Sequence, residues 1–158
     1  MKSHLIEIQK RALKALNAGH LEEAANLFES IVNEMPDWEH GTALYSLACC
    51  YEDLGNITSA EESYRKALQY ELENPTFLGG LASFLYLHGD PAESFNCHLA
   101  LLQVERDHAN ELRAKSTETA LKALGKRMGL ADSAVAEKIA ELRRDRDVDG
   151  RNEARPCG

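Results

Sequence analysis

Three stretches of this chain repeat one pattern: a glycine, a short turn, a small residue, a larger residue four positions further on, and an apolar residue three beyond that. The glycines are Gly19, Gly55 and Gly89, and the small residues Ala24, Ala60 and Ser94 lie 36 and 34 residues apart. Self-similarity at a period of roughly 20 to 50 residues marks stacked supersecondary units, and it constrains the fold more than any single motif could. Phe28, Tyr64 and His98 follow the small residues by four positions, and Ile31, Ala67 and Leu101 follow those by three. That spacing places each set on one stripe of a helix. A second amphipathic run precedes each glycine, clearest in Leu44, Leu47, Ala48, Tyr51 and Leu54 and again in Leu78, Leu81, Ala82 and Leu85. Each unit therefore predicts a pair of helices.

The punctuation agrees. Pro36 closes the first unit, Asn74-Pro75 opens the third, and Asp90-Pro91 starts the second helix of that unit. In both dipeptides a side-chain acceptor stands at the cap and a proline follows where its missing N–H costs nothing. Links of only a few residues between the helices require antiparallel neighbours.

With leucine, a small residue and tyrosine in the first helix, and alanine, a bulky residue, alanine and a late proline around the second, the pattern resembles the tetratricopeptide repeat. The second unit carries the resemblance best, through Leu44, Leu47, Ala48, Tyr51, Gly55, Ala60, Tyr64, Ala67 and Pro75. The first departs with Arg11 and Ala12 in place of leucine and glycine, and the third with Ser94 and His98. The resemblance spans about residues 5 to 108. It implies an all-α fold, a right-handed α-solenoid of antiparallel helix pairs with seven to eight helices. The repeats fall at about 5–38, 41–74 and 75–108, inside a domain spanning 1–145.

Three units leave the last apolar face uncovered, so a repeat array needs a cap with a polar outer side. Residues 109–128 are expected to supply it, with Leu112, Ala120, Leu121 and Leu124 alternating with Arg113, Lys115, Glu118, Lys122 and Lys126. A further helix over 132–145 would start at Asp132 or Ser133 and use Val135, Ile139 and Leu142. The Arg/Asp-rich stretch 146–158, ending in Arg155-Pro156-Cys157-Gly158, is expected to be disordered.

Charge and composition narrow the function. Residues 1–108 hold 7 Lys+Arg against 17 Asp+Glu, whereas residues 109–158 hold 11 against 9. An acidic body repels phosphate backbones, which argues against nucleic acid and for a basic or amphipathic protein or peptide partner. No apolar run approaches the roughly 18 residues of a membrane helix, and the first residues lack an apolar leader core, so a cytoplasmic protein without a membrane role is expected. The four cysteines, Cys49, Cys50, Cys97 and Cys157, have no zinc spacing and predict reduced thiols. Six scattered histidines, and the lack of a phosphate-binding glycine loop, a His-Glu-x-x-His run or a serine elbow, predict no catalytic, metal or cofactor site.

The resemblance implies a concave groove lined by the first helices, holding an extended or helical peptide. Its expected residues are Ile6, Gln9, Lys10, Leu13 and Asn17, then Thr42, Tyr45, Ser46, Cys49 and Asp53, then Thr76, Gly79, Gly80, Ser83 and Tyr86. Family members that bind the C-terminal carboxylate of heat-shock chaperones use a Lys/Asn/Arg clamp. Here Gln9, Leu13, Ser46, Thr76 and Gly80 stand in those places. Gly79-Gly80 costs about 1 kcal/mol per glycine relative to alanine inside a helix, which suits close approach of either a ligand or a neighbouring helix. Tyr45 and Tyr86 are the expected anchors. The leading expectation is a non-catalytic adaptor or scaffold. The alternative is a bacterial secretion chaperone, similar in length, repeat number, acidic body and the helix from Asn110 to Ala123, although that class carries a longer segment before its first repeat. A third reading is a self-assembly element pairing through the end of the array or the basic C-terminal region, which would make the protein a homo-oligomer.

Overall fold

The computed structural model describes residues 2–149, with side-chain surroundings as far as Leu142. The helices are α1 (Lys2–Asn17), α2 (Leu21–Glu34), α3 (Thr42–Asp53), α4 (Ile57–Tyr70), α5 (Pro75–His88), α6 (Pro91–Asp107), α7 (Glu111–Arg127) and α8 (Asp132–Asp149). No strand occurs among the described residues, and the fold is all-α, built from antiparallel helix pairs. The chain divides into two compact units, Met1–Glu71 and Leu72–Gly158, where the resemblance implies a single array. Each element of a repeat array packs chiefly on its neighbours, so such arrays subdivide readily.

In Met1–Glu71, Leu5, Ala12 and Ala15 of α1 meet Ala24, Phe28 and Ile31 of α2 in one buried cluster with Leu47 and Cys50 of α3. The alanines let the helix backbones come close, and burying Phe28 and Ile31 contributes about 1.5 to 3 kcal/mol each. Between α2 and α3 the chain makes a tight turn over Trp38–Gly41. Glu39, His40 and Gly41 are all left-handed, with φ of 46°, 55° and 93°. Gly41 has no alternative: a Cβ there would lie 3.0 Å from the Ala67 carbonyl oxygen and 3.2 Å from the Tyr70 ring. The turn is thus pressed against α4, and Trp38, 5% exposed, plugs the core beneath it.

In Leu72–Gly158, the caps follow from the sequence. Asn74 Oδ1 accepts from the Thr76 and Phe77 N–H groups at 2.9 and 3.2 Å, and Asp90 Oδ1 accepts from Ala92 and Glu93 at 2.9 and 3.0 Å. Each cap is worth about 1 kcal/mol. Ser94, fully buried where the other units have alanine, donates its hydroxyl to the Ala82 carbonyl at 3.1 Å.

The expected stripe of α7 is corrected. Its buried face is Ala114, Thr117, Leu121, Leu124 and Gly125, while Leu112 is 81% exposed and Ala120 half-buried. Leu112 precedes Ala114 by two positions, about 200° around the helix, so it must point outward once Ala114 points in. Thr117 is tolerated inside because its hydroxyl donates to Glu105 at 2.7 Å. At Gly125 a Cβ would collide with Val135, so α8 approaches α7 through the missing side chain. Arg106 ties the end together, reaching Glu118 at 2.7 Å and the Ile139 carbonyl at 3.4 Å.

The expected disorder from 146 is also corrected as far as Asp149, where α8 ends. Residues 132–149 contain neither glycine nor proline and are rich in strong helix formers, so nothing interrupts the helix before Gly150. The rest of that expectation, 150–158, lies outside the described residues.

Two predictions follow from this packing. Gly41→Ala should lower stability by roughly 1 to 3 kcal/mol, since alanine pays the left-handed strain and crowds Ala67; an unchanged urea midpoint would disprove the tight turn. Glu105 is 5% exposed, and burial pushes its carboxyl above the usual range against the opposing pull of Thr117 and Arg113. A folded state that holds the proton more tightly gains stability in full below the unfolded value of about 4.3 and loses it as pH rises through the folded value. Glu105→Gln should therefore flatten the pH dependence of unfolding on the acid side of neutrality, as read from urea midpoints at several pH values.

Candidate partner-binding faces

On α1, Ile6 and Leu13 remain 43% and 42% exposed although both are large and apolar. Seven residues apart, they fall on one stripe of the helix. Gln9, between them in sequence, is half-buried and has both ends of its amide committed: Trp38 Nε1 donates to its Oε1 at 3.0 Å, and its Nε2 donates to Glu39 Oε2 at 2.6 Å. Gln9 is thus a clasp holding α1 to the left-handed turn. Sequence reasoning missed this role of Trp38, for which a lone tryptophan just after a proline was the available signal.

On α3, Thr42, Tyr45, Ser46 and Cys49 are half-buried. The expectation that this row faces away from the second helix is corrected for two of them. The Tyr45 ring meets the Tyr64 ring of α4 edge-on, with centroids 5.7 Å apart and planes at 67°. Cys49 Sγ lies 3.4 Å from the Tyr64 hydroxyl, which donates to Glu52 at 2.8 Å. The physical reason is that α3 packs against both α2 and α4, and little of its circumference is left over. Burial pushes Tyr45 up to about 12 and raises Tyr64 and Cys49 as well, so these groups stay neutral and Cys49 is no thiolate nucleophile. Cys50 is buried and pushed up to about 11, again by desolvation. The Thr42 and Ser46 hydroxyls turn back to backbone carbonyls, of Glu39 at 2.8 Å and Thr42 at 3.0 Å.

On α5, Thr76 and Ser83 are exposed, and Gly79 and Gly80 are half-buried. A Cβ at Gly79 would make only an ordinary contact, 3.8 Å from Leu101 Cδ2, so helix packing does not demand glycine there. Tyr86 is not the open anchor expected. The Arg127 guanidinium sits 5.1 Å from its ring centroid and donates to its carbonyl at 2.8 Å, while His98 stands at its edge with centroids 6.4 Å apart. Arg127 comes from 41 residues away, a distance that no local pattern could reveal.

His98 Nδ1 bonds the Ser94 carbonyl at 2.8 Å, and burial lowers its basicity, so it serves as a neutral core residue. The expectation of reduced thiols is corrected at Cys97, which is disulfide-bonded; the course of the folded chain, and not linear spacing, decides which thiols meet. Among the described residues, no group of three or more His, Cys, Asp or Glu could hold a metal ion, and no helix is long and apolar enough to cross a membrane.

Residues 41–74, comprising the left-handed glycine and the α3–α4 pair, match the family model of the tetratricopeptide repeat. The chain thus contains a tetratricopeptide-type repeat over these residues, a kind of protein-interaction unit. Its fold is similar to that of the type III secretion translocator chaperone SycD of Yersinia enterocolitica, with a TM-score of 0.71 at 17% identity over 82% of this chain and 89% of that one. No curated protein sequence matches it.

Removing the clasp should be visible through the only tryptophan of the chain. Gln9→Leu leaves the buried indole N–H without its acceptor, a cost of about 1 to 3 kcal/mol. Lower stability together with a changed Trp38 emission spectrum is the expected result, and neither change would mean that α1 is held by its apolar face alone.

Proposed function

We propose that this protein is a non-catalytic adaptor whose first helices hold an extended or helical segment of a partner protein. The observation that carries this reading is the exposed Ile6–Leu13 stripe on a helix that is otherwise anchored in the core through the fully buried Leu5 and Ala12. Full burial of a leucine or isoleucine is worth about 1.5 to 3 kcal/mol, so covering what remains exposed of these two supplies about 1 kcal/mol each. Specific binding needs further contacts. Within Met1–Glu71 the half-buried Thr42 and Ser46 offer polar edges. Within Leu72–Gly158, Thr76, Gly79, Gly80 and Ser83 offer a strip with little side-chain bulk, where a partner backbone can approach closely.

A second reading, a chaperone for an exported partner, is favoured by the likeness to SycD. Under it, a membrane-active partner would become soluble only on co-expression with this protein. A cytoplasmic location belongs to both readings.

The test uses tagged wild-type protein and the Ile6→Ser/Leu13→Ser variant in affinity capture with mass spectrometry, followed by calorimetry on the partner identified. Loss of at least tenfold in affinity, about 1.4 kcal/mol, is expected for the variant. Gly79→Ala should gain about 0.5 to 1 kcal/mol of stability from helix propensity and yet bind more weakly. Equal affinity for wild type and the α1 variant would remove the face from the binding site.

A further inference from the structure

The charges of Met1–Glu71 are not spread evenly around the exposed apolar stripe. Helix α1 carries Lys2, Lys10, Arg11 and Lys14 against the single acid Glu7, a net +3. Residues 18–71 carry 2 Lys+Arg against 11 Asp+Glu, a net −9. The one cationic helix of an acidic unit is therefore also the helix with two large apolar residues left open.

The arrangement around the stripe is equally specific. At about 100° per residue, Ile6 and Leu13 lie about 20° apart, and Lys10 lies about 40° to one side of Ile6, with Lys14 about 40° beyond it. These cations are little used within the fold. Lys10 meets Glu7 at 3.9 Å with both side chains about two-thirds exposed, a pair worth little in water. Lys2, Arg11 and Lys14 form no ion pair among the described residues.

Resting on the function proposed above, we infer that the α1 face takes an acidic amphipathic helix of a separate partner protein, with apolar residues against Ile6 and Leu13 and carboxylates against Lys10 and Lys14. Lysine suits this edge because its stem lies along apolar surface while the ammonium reaches out to a charge. A second copy of this chain is a poorer fit, since no other helix, as far as Leu142, leaves two large apolar residues exposed. α2 is acidic without a large exposed apolar residue, α4 exposes Tyr70 but its Glu61 and Glu62 are paired with Arg65 and Lys66, α5 has Leu87 exposed but no acid, and Leu112 of α7 stands beside Arg113 and Lys115 as well as Glu111.

The experiment titrates three synthetic helical peptides into the full chain by calorimetry. They share a leucine stripe at i, i+4 and i+7 and differ only in flanking residues, which are glutamate, glutamine or lysine. The glutamate peptide should bind at least tenfold more tightly than the lysine peptide, with an advantage that shrinks as salt shortens the screening length from about 10 Å at 0.1 M towards 3 Å at 1 M. Lys10→Glu/Lys14→Glu should reverse the order with helix content by circular dichroism unchanged, and Lys10→Gln/Lys14→Gln should abolish the preference. Equal binding of all three peptides, or preference for the lysine peptide, overturns the acidic partner while leaving the adaptor reading intact. No binding of the glutamate peptide overturns the inference as well, whatever the capture experiment returns. So do two other results: self-association of wild type that Ile6→Ser/Leu13→Ser abolishes, and flotation with vesicles of anionic lipid without peptide binding.

Discussion

A pair of amphipathic helices closes only half of its apolar surface, because each helix has one neighbour inside the pair and a further apolar flank outside it. Everything else in this protein answers to that constraint. α3 must cover α2 as well as α4, and α7 must cover α6, which is why Leu47 and Cys50 share a cluster with Phe28 and why Leu121 and Leu124 share one with Phe95 and Leu102. The same constraint explains the glycines that matter. Gly41 lets the turn lie on α4, and Gly125 lets Val135 reach α7; at both places a methyl group would separate layers that have to touch.

Where the repeat pattern departs from small and bulky apolar residues, the core has kept its hydrogen bonds. Ser94 and His98 stand on the buried stripe of α6, and the serine finds the Ala82 carbonyl while the histidine finds the Ser94 carbonyl. Glu105 and Thr117 satisfy one another across α6 and α7, and among the described residues no buried side-chain polar atom is left without a partner. Substitutions of this kind cost little when both partners are present and much when one is removed. These polar pairs therefore mark positions where single substitutions will be felt most.

Helix pairing was legible in the sequence because it depends on local spacing. A small residue at one position, a bulky one four later and an apolar one seven later define a stripe without any knowledge of the partner, and Asn74 and Asp90 cap helices through atoms two and three residues away. What was hidden depends on residues far apart in the chain. The phase of α7 turned on Thr117 finding Glu105, and a sequence alone gives preference to Leu112. Tyr45, Cys49 and Tyr86 read as groove residues until Tyr64 and Arg127 are placed against them. Gln9 reads as a neutral surface residue until Trp38 and Glu39 close on it. For Ile6 and Leu13 the helix register alone gave the exposure found, since Leu5, Ala12 and Ala15 turn a different side of α1 to the core.

Averaged charge concealed the character of that stripe. A net charge of −8 suggests a basic partner, yet the average is dominated by residues that do not border the exposed apolar pair. Charges act over a screening length of about 8 Å at physiological salt, so the lysines of α1 govern contact on that helix while the acidic remainder of Met1–Glu71 governs approach. The two fields oppose one another for any anion. A polyanion with uniform charge, such as a nucleic acid backbone, meets repulsion along most of its length and gains nothing from Ile6 and Leu13. A short helix with its carboxylates beside an apolar stripe confines its charge to the one place where the protein is cationic and recovers burial there too. Opposed long-range and short-range fields of this kind restrict binding to compact acidic amphipathic segments more sharply than a uniformly basic face would.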